Sequence, residues 1–231
     1  MNKKDKIIVA LDVSSLKAAK EIIEPLKNYF NFYKIGLELI TQEGALQCLS
    51  ELKAMGIEIF FDGKFSDIPN TVLKASEVVA KENVKMFNVH TNCGIESLKA
   101  ANKVKHNSIL LGVTVLTSIQ ESECQSLYGK SIETKVTELA SLALEAGLDG
   151  IVCSPSDLAF LNKNNSLKKL LKVTPGIRPL WAQANDQKRT LTPKEAFELG
   201  ADYLVIGRPL TNPPAEIGSS VKAAEKILKD L

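Results

Sequence analysis

Two carboxylates placed around an amine, Asp62-x-Lys64-x-x-Asp67, carry the most chemistry in this sequence. Carboxylates beside a lysine favour its charged form, and an ammonium held in that way can act as a general acid. The full stretch is Phe60-Phe61-Asp62-Gly63-Lys64-Phe65-Ser66-Asp67-Ile68-Pro69-Asn70-Thr71-Val72. It runs from an apolar, strand-like segment through the charged triplet into a helix, and Pro69 suits a first helical turn that needs no N–H. This order puts Asp62 and Lys64 at the carboxyl end of a strand, where parallel α/β folds keep their active sites. Residues i and i+2 of a strand share a face, so the two side chains are expected to point the same way. Taken singly, Asp67 has a plainer reading as a helix cap, and Asp62 with Lys64 as a surface ion pair of little worth. Capping does not account for the triplet together with the Ile68-Pro69-Asn70-Thr71 run that follows it.

Eight alternations of strand and helix are expected to position this triplet. Strands are predicted at Ile7–Val13, Phe32–Glu38, Glu58–Lys64, Lys85–Thr91, Ser108–Leu116, Gly150–Ser154, Leu170–Pro175 and Tyr203–Gly207. They are short, rich in Ile, Val, Leu and Phe, and mostly not alternating, as befits strands covered on both faces. The first helix has Ser14 or Ser15 as its cap and Leu16, Ala19, Ile22, Ile23 and Leu26 as its apolar stripe. Others are predicted at Glu43–Met55, Pro69–Lys81, Ile95–Val104, Ile132–Ala146, Asp157–Leu161, Pro193–Leu199 and Ala215–Leu231, with Gly56, Gly147 and Gly200 ending three of them. The pattern predicts an α/β fold, a single (β/α)₈ TIM barrel spanning residues 1–231 as one domain. The Gly-rich dinucleotide fingerprint of a doubly wound sheet is missing. Two connections, Ile119–Lys130 and Arg178–Thr192, exceed what the fold needs and are expected to be functional loops. The second contains Trp181, Asn185, Asp186, Gln187 and Arg189, a composition suited to covering a polar ligand.

Composition sets outer bounds. The 231 residues are 45% hydrophobic and 24% charged, a globular balance, and the formal charge of +2 is too small for a nucleic-acid surface. An anionic ligand would have to be held locally. Cys48, Cys93, Cys124 and Cys153 are far apart, without the spacing of a zinc site or a redox dithiol, and are expected to be reduced thiols in a cytoplasmic protein. The apolar run after the basic N-terminus is too short for a signal peptide, and no apolar stretch is long enough to span a bilayer.

In a barrel, residues remote in sequence gather at the strand ends. Asp12, Lys34, Asp62 with Lys64, His90, Thr117 with Ser118, Arg178, and Gly207 with Arg208 all fall at or just after such ends. Together with the central motif, a set of short runs now covers nearly the whole chain. These are Ala10-Leu11-Asp12, Tyr33-Lys34-Ile35-Gly36, Asn88-Val89-His90-Thr91, Val115-Leu116-Thr117-Ser118, Thr174-Pro175-Gly176-Ile177-Arg178-Pro179, Asp186-Gln187 and Val205-Ile206-Gly207-Arg208-Pro209. In these runs the chain closely resembles the orotidine 5′-phosphate decarboxylase family.

The resemblance implies loss of carbon dioxide from orotidine 5′-phosphate to give uridine 5′-phosphate in pyrimidine biosynthesis. It implies that Lys34, Asp62, Lys64 and Asp67 are catalytic, with Lys64 giving the proton to a carbanion at carbon six. Asp12 and Lys34 would hold the ribose hydroxyls, and Thr117 and Ser118 the pyrimidine. Arg178, Gln187, Gly207 and Arg208 would hold the phosphate. Asp67 and Thr71 would reach across the two-fold interface of a homodimer. His90 is expected to be structural. The sequence departs from the family at Gly63, where many members carry Leu or Ala, and at Ser66, where many carry His; both bear on packing rather than on chemistry. No feature points to a metal, pyridoxal phosphate or thiamine, so no cofactor is expected. Two alternatives are a magnesium-dependent sugar-phosphate decarboxylase or synthase on the same scaffold, and a non-catalytic nucleotide-binding barrel. Lys34 in Lys-Ile-Gly and the Ile68-Pro69-Asn70-Thr71 extension count against the first, and the complete set Lys34, Asp62, Lys64 and Asp67 counts against the second.

Overall fold

Alternation along the strands builds two apolar layers. The computed structural model describes residues 3–182 and 191–231. Its strands are β1 (Ile7–Leu11), β2 (Phe32–Ile35), β3 (Glu58–Phe65), β4 (Met86–His90), β5 (Ile109–Val113), β6 (Gly150–Val152), β7 (Leu171–Thr174) and β8 (Tyr203–Ile206). They pair in sequence order, all parallel, and β8 closes onto β1 with Ile7 opposite Leu204. The result is a (β/α)₈ barrel. Ile8, Ala10, Phe32, Phe60, Met86, Leu111, Val173, Tyr203 and Val205 form one buried cluster that fills the barrel. The alternate residues Ile7, Val9, Leu11, Tyr33, Ile59 and Phe61 join the larger cluster beneath the helices. Filling the interior is worth roughly 1.5–3 kcal/mol for each large apolar side chain. Lys34, Asp62 and Asn88 continue the inward rows of Phe32, Phe60 and Met86, so polar groups cap the apolar fill at the carboxyl end.

The helices are α1 (Leu16–Leu26), α2 (Leu37–Glu43), α3 (Ala45–Lys53), α4 (Pro69–Lys81), α5 (Ile95–Val104), α6 (Glu121–Tyr128), α7 (Ile132–Glu145), α8 (Leu158–Lys163), α9 (Pro193–Glu198), α10 (Arg208–Thr211) and α11 (Ser220–Lys229). Ser15 caps α1 by accepting the Ala18 N–H at 3.2 Å, and Pro69 opens α4 with Ile68 as its N-cap residue.

Four expectations need correction. The helix expected from Glu43 to Met55 is α3, Ala45–Lys53, and an unexpected helix, α2, precedes it across Gly44, where φ is +84°. β2 stops at Ile35, and beyond the N-cap Gly36 the residues Leu37 and Glu38 are helical rather than extended. The Ile119–Lys130 connection is not a bare loop but holds α6, which has Glu121 and Glu123 in its first turn and the left-handed Gly129 at its end. Only Cys124 of α6 is buried, so the helix lacks the apolar stripe that would mark it in the sequence. The last helix starts at Ser220 under a Ser219 cap, not at Ala215.

Candidate active site

The central motif sits where β3 leaves regular geometry. Phe61 pairs with Phe87 and Phe65 with Val89, so residues 62–64 of β3 lie opposite Asn88 alone on β4. Lys64 takes a left-handed backbone with φ of +49°, unusual for a residue with a side chain. The expected meeting of Asp62 and Lys64 does occur, but through this bulge rather than through plain strand alternation: Lys64 Nζ lies 2.7 Å from Asp62 Oδ1.

From this pair a row of alternating charge crosses the barrel mouth. Lys34 Nζ lies 3.3 Å from Asp62 Oδ2 and 2.8 Å from Asp12 Oδ1. Lys34 and Asp62 are buried, whereas the Asp12 side chain is 62% exposed. Burial works against the charge of Asp62, yet Lys34 and Lys64, with hydrogen bonds from Lys64 and Asn88, outweigh it and hold the carboxyl below its ordinary range. Burial likewise works against the charge of Lys34, and the attraction of Asp62 and Asp12 overcomes it and raises its pKa. His90 ends β4 half-buried, its pKa lowered by burial and by Lys64 against an opposing pull from Asp62, which leaves the imidazole neutral near pH 7.

Two cavities open on this rim. One, of about 400 Å³, is lined by Lys34, Asp62 and Lys64 on one side and by Val113, Thr117 and Cys153 on another. Farther along the chain from β7 and β8 lies a second, of about 390 Å³, lined by Arg178, Arg208 and Asn212. Arg178 is buried, its Nη1 donating to the Ile177 carbonyl at 2.9 Å. Gly207 is the N-cap residue of α10, and Arg208 is its first, exposed residue.

Other expected site residues stand apart from these cavities. Asp67 and Thr71 are exposed and do not line the cavity that holds Lys64. Among the described residues Asp67 makes no ion pair with Lys64; its Oδ1 accepts the Ile68 N–H at 2.7 Å. Ser118 is exposed and lines neither cavity, although Thr117 beside it does. Gln187, with Asn185, Asp186 and Arg189, falls outside the described residues.

Two contributors carry no charge and stood in the sequence only as members of the Tyr33-Lys34-Ile35-Gly36 and Asn88-Val89-His90-Thr91 runs, with no role of their own. A Cβ on Gly36 would lie 2.8 Å from Lys34 Nζ and 3.2 Å from Asp12 Oδ1, so a side chain there would press on that ion pair and shift the lysine end. Asn88, buried on β4, bonds to Asp62 at 2.6 Å and to the Lys64 backbone at 2.8 Å.

Comparison with known proteins gives this arrangement its setting. Residues 5–226 match the family described as "Orotidine 5'-phosphate decarboxylase / HUMPS family". The chain belongs to this family. It is 42% identical to the orotidine 5′-phosphate decarboxylase of Carboxydothermus hydrogenoformans, over 98% of this chain and 96% of that one. The enzyme of the same name from Staphylococcus aureus is 41% identical, over 97% and 99% of the two chains. The crystal structure of orotidine 5′-phosphate decarboxylase from Lactobacillus acidophilus superposes with a TM-score of 0.82 at 31% identity, covering 98% of each chain. Against this family background the glycine at position 63 has a steric reason. A Cβ there would lie 2.5 Å from the Phe61 ring, and the Phe61 and Phe65 rings stand 5.9 Å apart around it.

Proposed function

We propose that this protein is an orotidine 5′-phosphate decarboxylase, forming uridine 5′-phosphate and carbon dioxide in pyrimidine biosynthesis. The observation that carries the reading is the row Asp12–Lys34–Asp62–Lys64, its inner members facing a cavity at the carboxyl end of the strands. With the pyrimidine in that cavity, the substrate carboxylate lies near Asp62. Two such charges at 4 Å repel by roughly 4 kcal/mol at an effective dielectric near 20. Breaking the carbon–carbon bond releases neutral carbon dioxide, removes the repulsion and leaves an electron pair on carbon six. Lys64 stabilises that carbanion by its charge and then gives it a proton from Nζ, forming the new C–H bond. Solvent returns the proton to the amine. Charge and proton both come from side chains, so the proposal needs no cofactor and no metal.

Asp12 and Lys34 bind the ribose hydroxyls, and Thr117 and Ser118 the pyrimidine. Arg178, Arg208, Gln187 and the Gly207 backbone bind the phosphate, the two arginines sharing the second cavity. Arginine's planar fork suits phosphate oxygens, and this remote binding energy serves to place the ring over Lys64. The active unit is a homodimer of this one barrel domain, in which Asp67 and Thr71 enter the partner's site. Their exposure supports this, as does the exposed apolar surface beside them, with Ile68 at 67%. Four free thiols, three of them buried, suit a reducing compartment such as the cytoplasm.

A spectrophotometric assay of orotidine 5′-phosphate loss, with and without chelator, tests the reading. Turnover is expected and should be the same in both. Absent turnover would overturn it, and turnover lost on chelation would indicate magnesium-dependent chemistry of the sugar-phosphate kind.

A further inference from the structure

Asn88 occupies a position that neither the charged motif nor the packing of the barrel explains. It is 1% exposed, and its row of the barrel interior is otherwise filled by the apolar Met86. A buried carboxamide is costly unless both its ends are bonded, and here both are. Oδ1 accepts the Lys64 backbone N–H at 2.8 Å, and Nδ2 donates to Asp62 Oδ1 at 2.6 Å. The amide can face only one way, because a backbone N–H needs an oxygen and a carboxylate needs a donor.

The backbone around it makes the arrangement specific. The β3–β4 ladder is interrupted between the Phe61–Phe87 and Phe65–Val89 pairs, with three residues of β3 facing the single residue Asn88. Its side chain therefore supplies the acceptor that a regular ladder would have offered to Lys64. Lys64 needs that support, because its φ is +49° and a left-handed backbone is unfavourable for a residue with a Cβ. The same amide fixes Asp62 Oδ1, the oxygen that also receives Lys64 Nζ at 2.7 Å. One side chain thus holds the proton donor's backbone and the carboxylate that aims its ammonium.

We infer that Asn88 is a positioning residue for the decarboxylation, setting Lys64 and Asp62 in register at the β3 bulge without touching the substrate. The inference rests on the decarboxylase reading above. If wild-type protein fails to decarboxylate, that reading falls; if wild type is active, the Asn88 variants decide this one separately.

The test uses full-length Asn88→Ala and Asn88→Leu, the second filling the space without hydrogen-bonding groups. For each, kcat and KM for orotidine 5′-phosphate are measured alongside the Kd for uridine 5′-phosphate and the thermal unfolding midpoint. Both variants are expected to lose tenfold or more in kcat, the scale of a hydrogen bond to a charged group. KM and the product Kd should change by less than threefold, since the residues proposed to bind ribose and phosphate are untouched. Calorimetric product binding reports the folded fraction, so a destabilised variant is still interpretable when assayed below its midpoint. A kcat loss below tenfold in Asn88→Leu would overturn the inference, because packing alone would then suffice. So would a loss in kcat matched by an equal weakening of product binding, which would mark a general collapse of the site.

Discussion

Replacing Lys34 by Met keeps most of the side-chain length while removing the central cation of the charged row, and its cost follows from the geometry. At 3.3 Å and an effective dielectric near 20, the attraction between Lys34 and Asp62 is roughly 5 kcal/mol. Desolvating the buried ammonium cancels much of this, so measured costs of breaking a buried pair are about 3–5 kcal/mol. Asp62 would keep Lys64 at 2.7 Å and Asn88 at 2.6 Å, which places the expected loss lower, at about 2–3 kcal/mol. For a chain of this size that is a fall in Tm of roughly 4–12 °C. Urea unfolding at fixed protein concentration, repeated across pH, supplies the check. Asp62 has its pKa depressed, so its contribution is present above the ordinary 3.8 and is lost as pH falls through the folded value. Lys34 has its pKa raised, so its contribution is present below the ordinary 10.5 and is lost as pH rises through the folded value. The gap between wild type and Lys34→Met should be widest between those limits and shrink on both sides. A gap at pH 7 below about 1 kcal/mol, the worth of an exposed pair, would refute the reasoning. A gap that stays constant into acid would also refute it.

Lys64→Ala should abolish turnover while leaving uridine 5′-phosphate binding largely intact; more than a few per cent residual turnover would remove Lys64 as proton donor. Arg208→Ala should weaken the phosphate-bearing substrate far more than a truncated substrate lacking phosphate, and equal losses would place Arg208 outside the phosphate site. Lys64→Ala and Asp67→Ala, each nearly inactive, should recover about a quarter of wild-type activity when unfolded together and refolded in equal amounts, since random pairing rebuilds one intact site per mixed dimer. No recovery, with mixed dimers demonstrated, would show that the sites are not shared. Gly63→Ala should cost about 1–3 kcal/mol by forcing a methyl against the Phe61 ring. Adding Phe61→Leu should return most of it, and a double variant no better than the single one would mean that the ring contact is not the cause.

The strands were legible because barrel strands are buried on both faces and leave short apolar runs that polar residues bracket. Their ends were less so: Val13, Glu38 and Leu116 read as extended, but the ladder stops earlier and the chain turns, at Gly36 into a helix. The Gly44 break and α6 escaped notice for opposite reasons. Gly44 stands within a continuous helical pattern, and α6 buries one residue and so has no periodicity to show. Within the site, the charged members announced themselves by type and spacing. Asn88 and Gly36 did not, since an uncharged amide matters through the bulge opposite it, and a glycine through the atoms it leaves room for. Neither circumstance exists before the strands are paired.

Closure of the barrel through β1 and β8 also shapes how the chain comes to be folded. Ile7 must find Leu204, a partner about 200 residues away in sequence, and contacts so distant are formed late and slowly. On a ribosome adding ~5–20 residues per second, β1 waits roughly 10–40 s before β8 has even been made. During that interval one edge of β1, five buried apolar residues in the finished protein, has its backbone donors and acceptors unpaired. Such an edge is a template for pairing with the wrong strand. The nascent chain is thus most exposed to aggregation at its first strand, and slowing synthesis ahead of residue 203 should lower soluble yield more than the same delay placed after residue 206.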